Sequence, residues 1–276
     1  MNESAVNNLV THQQPANEPT QHTDNVVLQG RALNKQYRQS TEQTGIVLHD
    51  IDIDVHAGDF TVIMGASGAG KSTLLYVLSG MDQPTSGEVY YQGARIDTLG
   101  ERRMAQLRAK EFGFVFQQPN LIGNLTLLEN VCLAGYVAAD RDGGEVRTEA
   151  ERLLERMHVA HAAHRLPSEV SGGEAQRAAI ARAVINHPGM LFADEPTGAL
   201  NRRNSDDVLD LLSELNRNGQ SILMVTHDVR AAIRSNRVLY VRDGELLGEF
   251  PLGVYRPDDA KAREISLTAW LSDMGW

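Results

Sequence analysis

Apolar residues alternate with polar ones through Ile51, Ile53 and Val55, then gather into mainly apolar runs at residues 60–64, 190–193 and 221–225. The alternation and the runs alike predict short strands. Another short strand is expected at residues 88–91. Two helical patterns intervene: Leu74, Leu75, Val77 and Leu78 after Lys71, and Val208, Leu209, Leu211, Leu212 and Leu215 later on. Strand, helix, strand implies parallel pairing. Residues 99–187 read as mostly helical, broken by the polar stretch 140–144, which suits an exposed loop. Val238 to Val241, the turn Asp243-Gly244 and Glu245 to Leu247 predict a late hairpin. From about Asp258 a short amphipathic helix carries Ile265, Leu267, Trp270, Leu271 and Met274; it either packs back on the body or offers its apolar face to a partner.

These patterns divide the chain. Residues 1–25, rich in Asn, Gln, Thr and His, bury too little apolar surface to offset ordering and are expected to be a disordered tail. Residues 26–98 and 188–250 form an α/β core with a mainly parallel central sheet and an antiparallel β subdomain. Residues 99–187 form a helical insert, and 251–276 a C-terminal extension. There is no internal repeat.

Composition removes several functions. The chain has 276 residues and 36 acidic against 26 basic side chains, a formal charge of -10. That balance disfavours nonspecific attraction to nucleic acid or to anionic lipid. The single cysteine, Cys132, excludes an intrachain disulfide and reads as a small buried hydrophobe, in keeping with a reducing cytosol. No apolar run approaches the roughly 20 residues that cross a bilayer, and the N-terminus lacks signal-peptide order.

Gly65-Ala66-Ser67-Gly68-Ala69-Gly70-Lys71-Ser72 matches G-x-x-x-x-G-K-[ST] at every fixed position, after a predicted strand and before a predicted helix. Backbone N–H groups of such a loop curl round phosphates, the helix N-terminus adds partial positive charge, and Lys71 adds a full one. Thr73 follows in the first helical turn. Ser72 can present its hydroxyl oxygen to Mg²⁺. Asp194 and Glu195 close an apolar strand, so their carboxylates emerge where open sheets collect ligands. Asp194 suits the metal, and Glu195 suits the polarisation of an attacking water. The fold expected is therefore a P-loop NTPase.

Taken with these motifs, Ser171-Gly172-Gly173-Glu174 makes the chain resemble the ATP-binding subunit of an ABC transporter, over about residues 26–247. The resemblance implies several roles. Ser171, Gly172 and Gly173 would bind the γ-phosphate of ATP held by a second copy, with Val170 and Ala175 standing where Leu and Gln are commoner. Gln117 would ligate Mg²⁺ and report γ-phosphate occupancy, His227 would position the water, and Tyr37 would stack on adenine. Asn201 stands where the family has Asp, which puts coupling between sites in question.

On this resemblance the chain is an ATPase whose two copies close around two Mg-ATP and drive a membrane permease. It would sit in the cytoplasm, peripheral on the inner face of the membrane. The permease would dock around Asn120 to Leu133. Gly113 to Asn120, Gly80 to Gly87 and Glu195 to Gly198 look like the subfamily serving lipoprotein-release, macrolide-export and antimicrobial-peptide systems, which favours export or extraction. The alternative is a non-transporting ABC ATPase that transmits a signal at the membrane, of cell-division type. A small-molecule kinase on the same loop would leave Ser171 to Glu174, Gln117 and His227 without a role.

Overall fold

The computed structural model describes residues 25–38, 44–138 and 142–276. The N-terminal tail up to residue 24 and residues 140 and 141 of the polar stretch 140–144 lie outside the described residues. In chain order the first half contains β1 (Val26–Arg38), β2 (Thr44–His56), β3 (Phe60–Met64), α1 (Lys71–Leu78), β4 (Ser86–Tyr91), β5 (Ala94–Arg95), α2 (Glu101–Glu111) and β6 (Phe112–Phe116). Then follow α3 (Leu127–Ala138), α4 (Gly143–Arg156), α5 (Gly172–Val184), β7 (Met190–Asp194), α6 (Arg202–Arg217), β8 (Ser221–Val225), α7 (Val229–Ala232), β9 (Arg237–Arg242), β10 (Glu245–Pro251) and α8 (Ala260–Asp273).

Two sheets organise these elements. The first is antiparallel, in the order β2-β1-β4-β5, and the second runs β10-β9-β3-β8-β7-β6. In the second sheet β9, β3, β8, β7 and β6 pair in parallel, and only the β9–β10 hairpin is antiparallel. Every residue of β3 and β8 is buried, as expected of strands covered on both faces. Helix α6 shows why the covering works. Val208, Leu209, Leu211, Leu212 and Leu215 line its buried face, and Leu212 and Val208 are fully enclosed. Truncating such a leucine to alanine costs about 2–5 kcal/mol.

Within 99–187, which the pattern predicts to be mostly helical, β6 is a strand and extends the main sheet beside β7. Its Phe-Gly-Phe-Val-Phe run is only five residues long, too short for periodicity to separate strand from helix. Gly113 has a packing reason there, since a Cβ would meet Ala183 O at 2.4 Å. A second correction falls at Gly143 and Gly144, expected in an exposed loop. They form the first turn of α4, because the Asp142 side chain caps it by accepting from Gly144 N at 2.9 Å. Cys132 is buried, and burial pushes its thiol up.

The C-terminal extension packs back onto the body. Leu267 and Leu271 are fully buried, and Trp270 stacks on Phe250 at 5.2 Å between ring centroids. Ile265, expected on the same apolar face, is instead 63% exposed: two residues before Leu267, it points elsewhere on the helix. Arg263 fixes the helix to what precedes it. Its guanidinium donates to Ile233 O at 2.7 Å, Leu252 O at 3.0 Å, Val254 O at 3.2 Å, and also to Ser235 O. One buried cation thereby satisfies several loop carbonyls at once.

Candidate active site

Parallel register gathers the chemistry at one end of the main sheet. Ile63 is level with Val225, Val225 with Asp194, and Asp194 with Phe116. The residues just beyond these positions are Gly65, His227, Glu195 and Gln117. They emerge side by side from the C-terminal ends of four adjacent strands, where open sheets bind ligands.

The loop Gly65 to Ser72 joins β3 to α1. Gly70 precedes the helix at φ 95°, a left-handed value that disfavours any residue with a Cβ. Gly65 answers to close approach, since a Cβ there would fall 2.0 Å from Val241 O. Ala66, Ser67 and Gly68 form the exposed apex, while Ala69 and Gly70 are buried. No side chain caps α1, so the N–H groups of its first turn are left to the concavity of the loop. Lys71 is only 8% exposed and donates from Nζ to Ala66 O at 2.9 Å. Burial pulls its ammonium below the ordinary range, against the raising influence of Glu195 and Asp194.

Asp194 is held by two hydroxyls. Ser72 Oγ donates to its Oδ1 at 2.8 Å, and Tyr76, which no motif singles out, donates to its Oδ2 at 2.7 Å. Burial first, and then Asp194, push the Tyr76 phenol up to about 12, so it remains a donor at neutral pH. The oxygens converging beside Lys71 are thus a serine hydroxyl and a carboxylate, with the Gln117 carboxamide at the neighbouring strand end. Hard oxygen donors of this kind fit Mg²⁺.

Glu195 sits at φ 47°, an uncommon backbone conformation for a residue with a side chain, and its N–H is tied to Val225 O at 2.9 Å. Its Oε1 lies 2.9 Å from His227 Nδ1. The carboxylate is mostly shielded and the imidazole is 67% exposed, so the pair faces outward from the strand ends. Gln117 is exposed, and Gly198 leaves room for it, since a Cβ there would come within 2.8 Å of Gln117 Nε2. Tyr37 is exposed too. Its hydroxyl donates to Asp82 Oδ2 at 2.6 Å, and Lys35 Nζ stands 4.8 Å from its ring centroid. Burial, then Asp82, raises its phenol, and Thr73 of α1 also reaches it.

Ser171 to Glu174 lie elsewhere, at the start of α5. Ser171 Oγ accepts from Glu174 N at 3.3 Å, and Glu174 Oε2 accepts from Ser171 N at 2.8 Å and Oγ at 2.6 Å. This reciprocal capping box holds the Glu174 carboxyl at about 2, chiefly through the Ser171 hydroxyl and N–H, with His161 Nε2 on its other oxygen at 2.7 Å. Ser171 and Gly172 are exposed. Behind them Gly172 packs on Leu200, and a Cβ at Gly173 would meet Asn204 Cγ at 2.5 Å. Asn204 N in turn donates to Asn201 Oδ1 at 3.0 Å, so Asn201 is the N-cap of α6. An aspartate would cap equally well. Val170 is partly buried against the core and Ala175 is buried.

One further residue links these regions. Gln176 of α5 is fully buried, and its Nε2 donates at 2.8 Å both to Phe116 O, just before Gln117, and to Pro196 O, just after Glu195. A glutamine among the alanines of α5 is the signal that could have found it, because a buried amide needs partners.

A phosphate loop closing one parallel strand, with an acidic residue closing the next strand but one and held by the loop's serine, makes the molecule a P-loop NTPase. Its particular branch follows from comparison. The ABC transporter family matches residues 48–198, and the chain belongs to that family, with the fold of its ATPase cassette. Among solved structures it is similar to MJ0796, described as a bacterial ABC transporter cassette. The two share 36% identity over 83% of this chain and 100% of that one, at a TM-score of 0.77. The same values hold for a dimeric, post-hydrolysis state of MJ0796 bound to ADP and Pi. It is also similar to cbiO1 from Clostridium perfringens, part of the ABC transporter complex cbiONQ, at 26% identity over 90% of this chain and 96% of that one, with a TM-score of 0.74. Among the described residues, no helix is long and apolar enough to cross a membrane.

Proposed function

We propose that this chain is the ATP-hydrolysing motor of a membrane transporter and works as a pair of copies closed around two Mg-ATP. The observation that carries the reading is the contrast between a phosphate loop joined to Asp194 and an exposed Ser171-Gly172 backed by Leu200, with Asn204 behind Gly173. Each nucleotide would be held by one copy's Gly65–Thr73 segment and by Ser171, Gly172 and Gly173 of the other. The dimeric MJ0796 structures support this pairing.

Within a site, Lys71 and the N–H groups of α1 neutralise phosphate charge. Tyr37 offers its ring to the adenine. Ser72, Asp194 and Gln117 would hold Mg²⁺, which would supply positive charge against the nucleotide's phosphates when bound. Glu195 accepts a proton from, or polarises, the attacking water, and His227, already against Glu195, orients it. Closure driven by nucleotide and opening driven by hydrolysis make a population shift between two arrangements.

The mechanical output leaves through the insert. Beside β6 and α3 lies a groove of about 400 Å³ whose lining includes Phe114, Phe116, Ile122, Leu133 and Val137. Within the Asn120 to Leu133 region its lining takes in Asn120, Ile122, Asn130 and Leu133, and a permease element would dock there, keeping the chain peripheral on the cytoplasmic face of the membrane. The inclusion of cbiO1 in a transporter complex supports such a partner. The motifs flanking Gln117 and Glu195 favour export or extraction of a peptide, lipoprotein or drug-like substrate. In this arrangement residues 26–98 and 188–250, with β6, form the nucleotide core and the rest of 99–187 the arm.

Replacing Glu195 with Gln tests the reading. ATP binding should persist, dimers should accumulate on size exclusion with ATP, and turnover should fall about 10²–10⁴-fold. Unchanged turnover would sink the assignment.

A further inference from the structure

Tyr76 carries an inference that deepens the hydrolysis reading and rests on it. Ser72 and Tyr76 are one helical turn apart on α1, so both side chains leave the same face and reach β7 across the strand end. Each takes a different oxygen of the same carboxylate: Ser72 Oγ donates to Asp194 Oδ1 at 2.8 Å, and Tyr76 Oη donates to Asp194 Oδ2 at 2.7 Å. The Tyr76 ring packs against the cluster that includes Leu74, Leu75 and Phe192, which fixes the direction of its hydroxyl.

A carboxylate held at one oxygen only can swing about its χ2 torsion, a broad two-fold well. Held at both, it keeps one oxygen aimed at the loop's serine. We infer that Tyr76 is a positioning residue for the metal: its hydroxyl locks the Asp194 carboxylate so that Oδ1 stays on the Ser72 side, where the divalent cation binds. The outer-shell partner of a carboxylate ligand typically changes metal affinity about 10–100-fold when lost. Nothing in the phosphate-loop pattern asks for this tyrosine, so it is a feature of this chain's own metal site.

The experiment is Tyr76→Phe, which keeps the ring and its packing and removes only the donor. Mn²⁺ serves as the probe. Its dissociation constant is measured by electron paramagnetic resonance on the full chain with a saturating, non-hydrolysable ATP analogue, and nucleotide affinity is measured separately in EDTA. The variant should bind Mn²⁺ about 10-fold more weakly while its metal-free nucleotide affinity stays at the wild-type value. Mn²⁺ affinity within about two-fold of wild type would overturn the inference. So would an equal loss of metal-free nucleotide affinity, which would mean that Tyr76 acts through the loop. A wild-type protein that binds neither the analogue nor Mn²⁺ would instead overturn the hydrolysis reading on which the inference stands. Asp194→Asn gives the internal reference: once the carboxylate is gone, adding Tyr76→Phe should change Mn²⁺ binding no further.

Discussion

The two regions proposed to meet phosphate are built in opposite ways. At the strand ends, side chains from distant elements already bond to one another: Ser72 to Asp194, and Glu195 to His227. At the start of α5, the bonds that Ser171 makes among the described residues stay within its own first turn, to Glu174 and Ala175. The first region is assembled by the fold; the second is a capped helix end supported from behind by Asn204. On the proposed reading, an exposed helix end that makes no bond to the strand-end cluster is what a site shared between copies requires.

Mixing two crippled chains is the most severe way to break that comparison. Lys71→Ala damages the strand-end region and Ser171→Arg the helix end, and each alone should lower ATP turnover by about 10²-fold or more. An equimolar mixture should regain turnover, because half of the mixed dimer's sites combine an intact loop with an intact helix end. Absence of any recovery would mean that both regions serve one nucleotide within one chain. Gly65→Ala probes the strand-end region alone. With Val241 O in the way, it should cost about 1–3 kcal/mol of stability by denaturant melts, whether or not nucleotide is present.

A smaller effect separates the helix end by pH. The Glu174 carboxyl is held at about 2 in the folded chain, below its ordinary value of 4.5. Its contribution to stability is therefore fully present above about pH 4.5 and fades as pH falls toward 2. The melting-temperature gap between wild type and Glu174→Ala should narrow steadily between pH 5.5 and 3.5, an interval chosen to span roughly the upper part of that window. A gap independent of pH would remove the ionised capping box from the account. Asn201→Asp should have the smallest effect, within about 0.5 kcal/mol of wild type, because either side chain caps α6. A marked gain in ATP cooperativity from that change would show that the charge matters at the interface after all.

What the sequence discloses follows from how locally each feature is encoded. The loop from Gly65 to Ser72, the acidic pair Asp194-Glu195 and the β9–β10 hairpin are contiguous, so each can be read in place. Strand β6 is contiguous too, but five residues containing a glycine carry no decisive period. Gly143 escaped because a single cap at Asp142 outweighs the loop preference of two glycines. Ile265 escaped because a helix with apolar residues on several sides does not announce which of them its neighbours will cover. Tyr76 and Gln176 are a different matter: their partners Asp194 and Phe116 lie 118 and 60 residues away along the chain. No pattern within a window could have paired them, and only the parallel register of the sheet brings them within reach.

The grip of Arg263 has a consequence for movement. The segment bearing His227 starts from Val225, which is locked in the sheet between β3 and β7, and it ends at Ile233 and Ser235, whose carbonyls Arg263 pins from α8. Both ends of the span are thereby anchored to the body. Any excursion of His227 must be taken up within those few residues, like the travel of a short spring clamped at both ends.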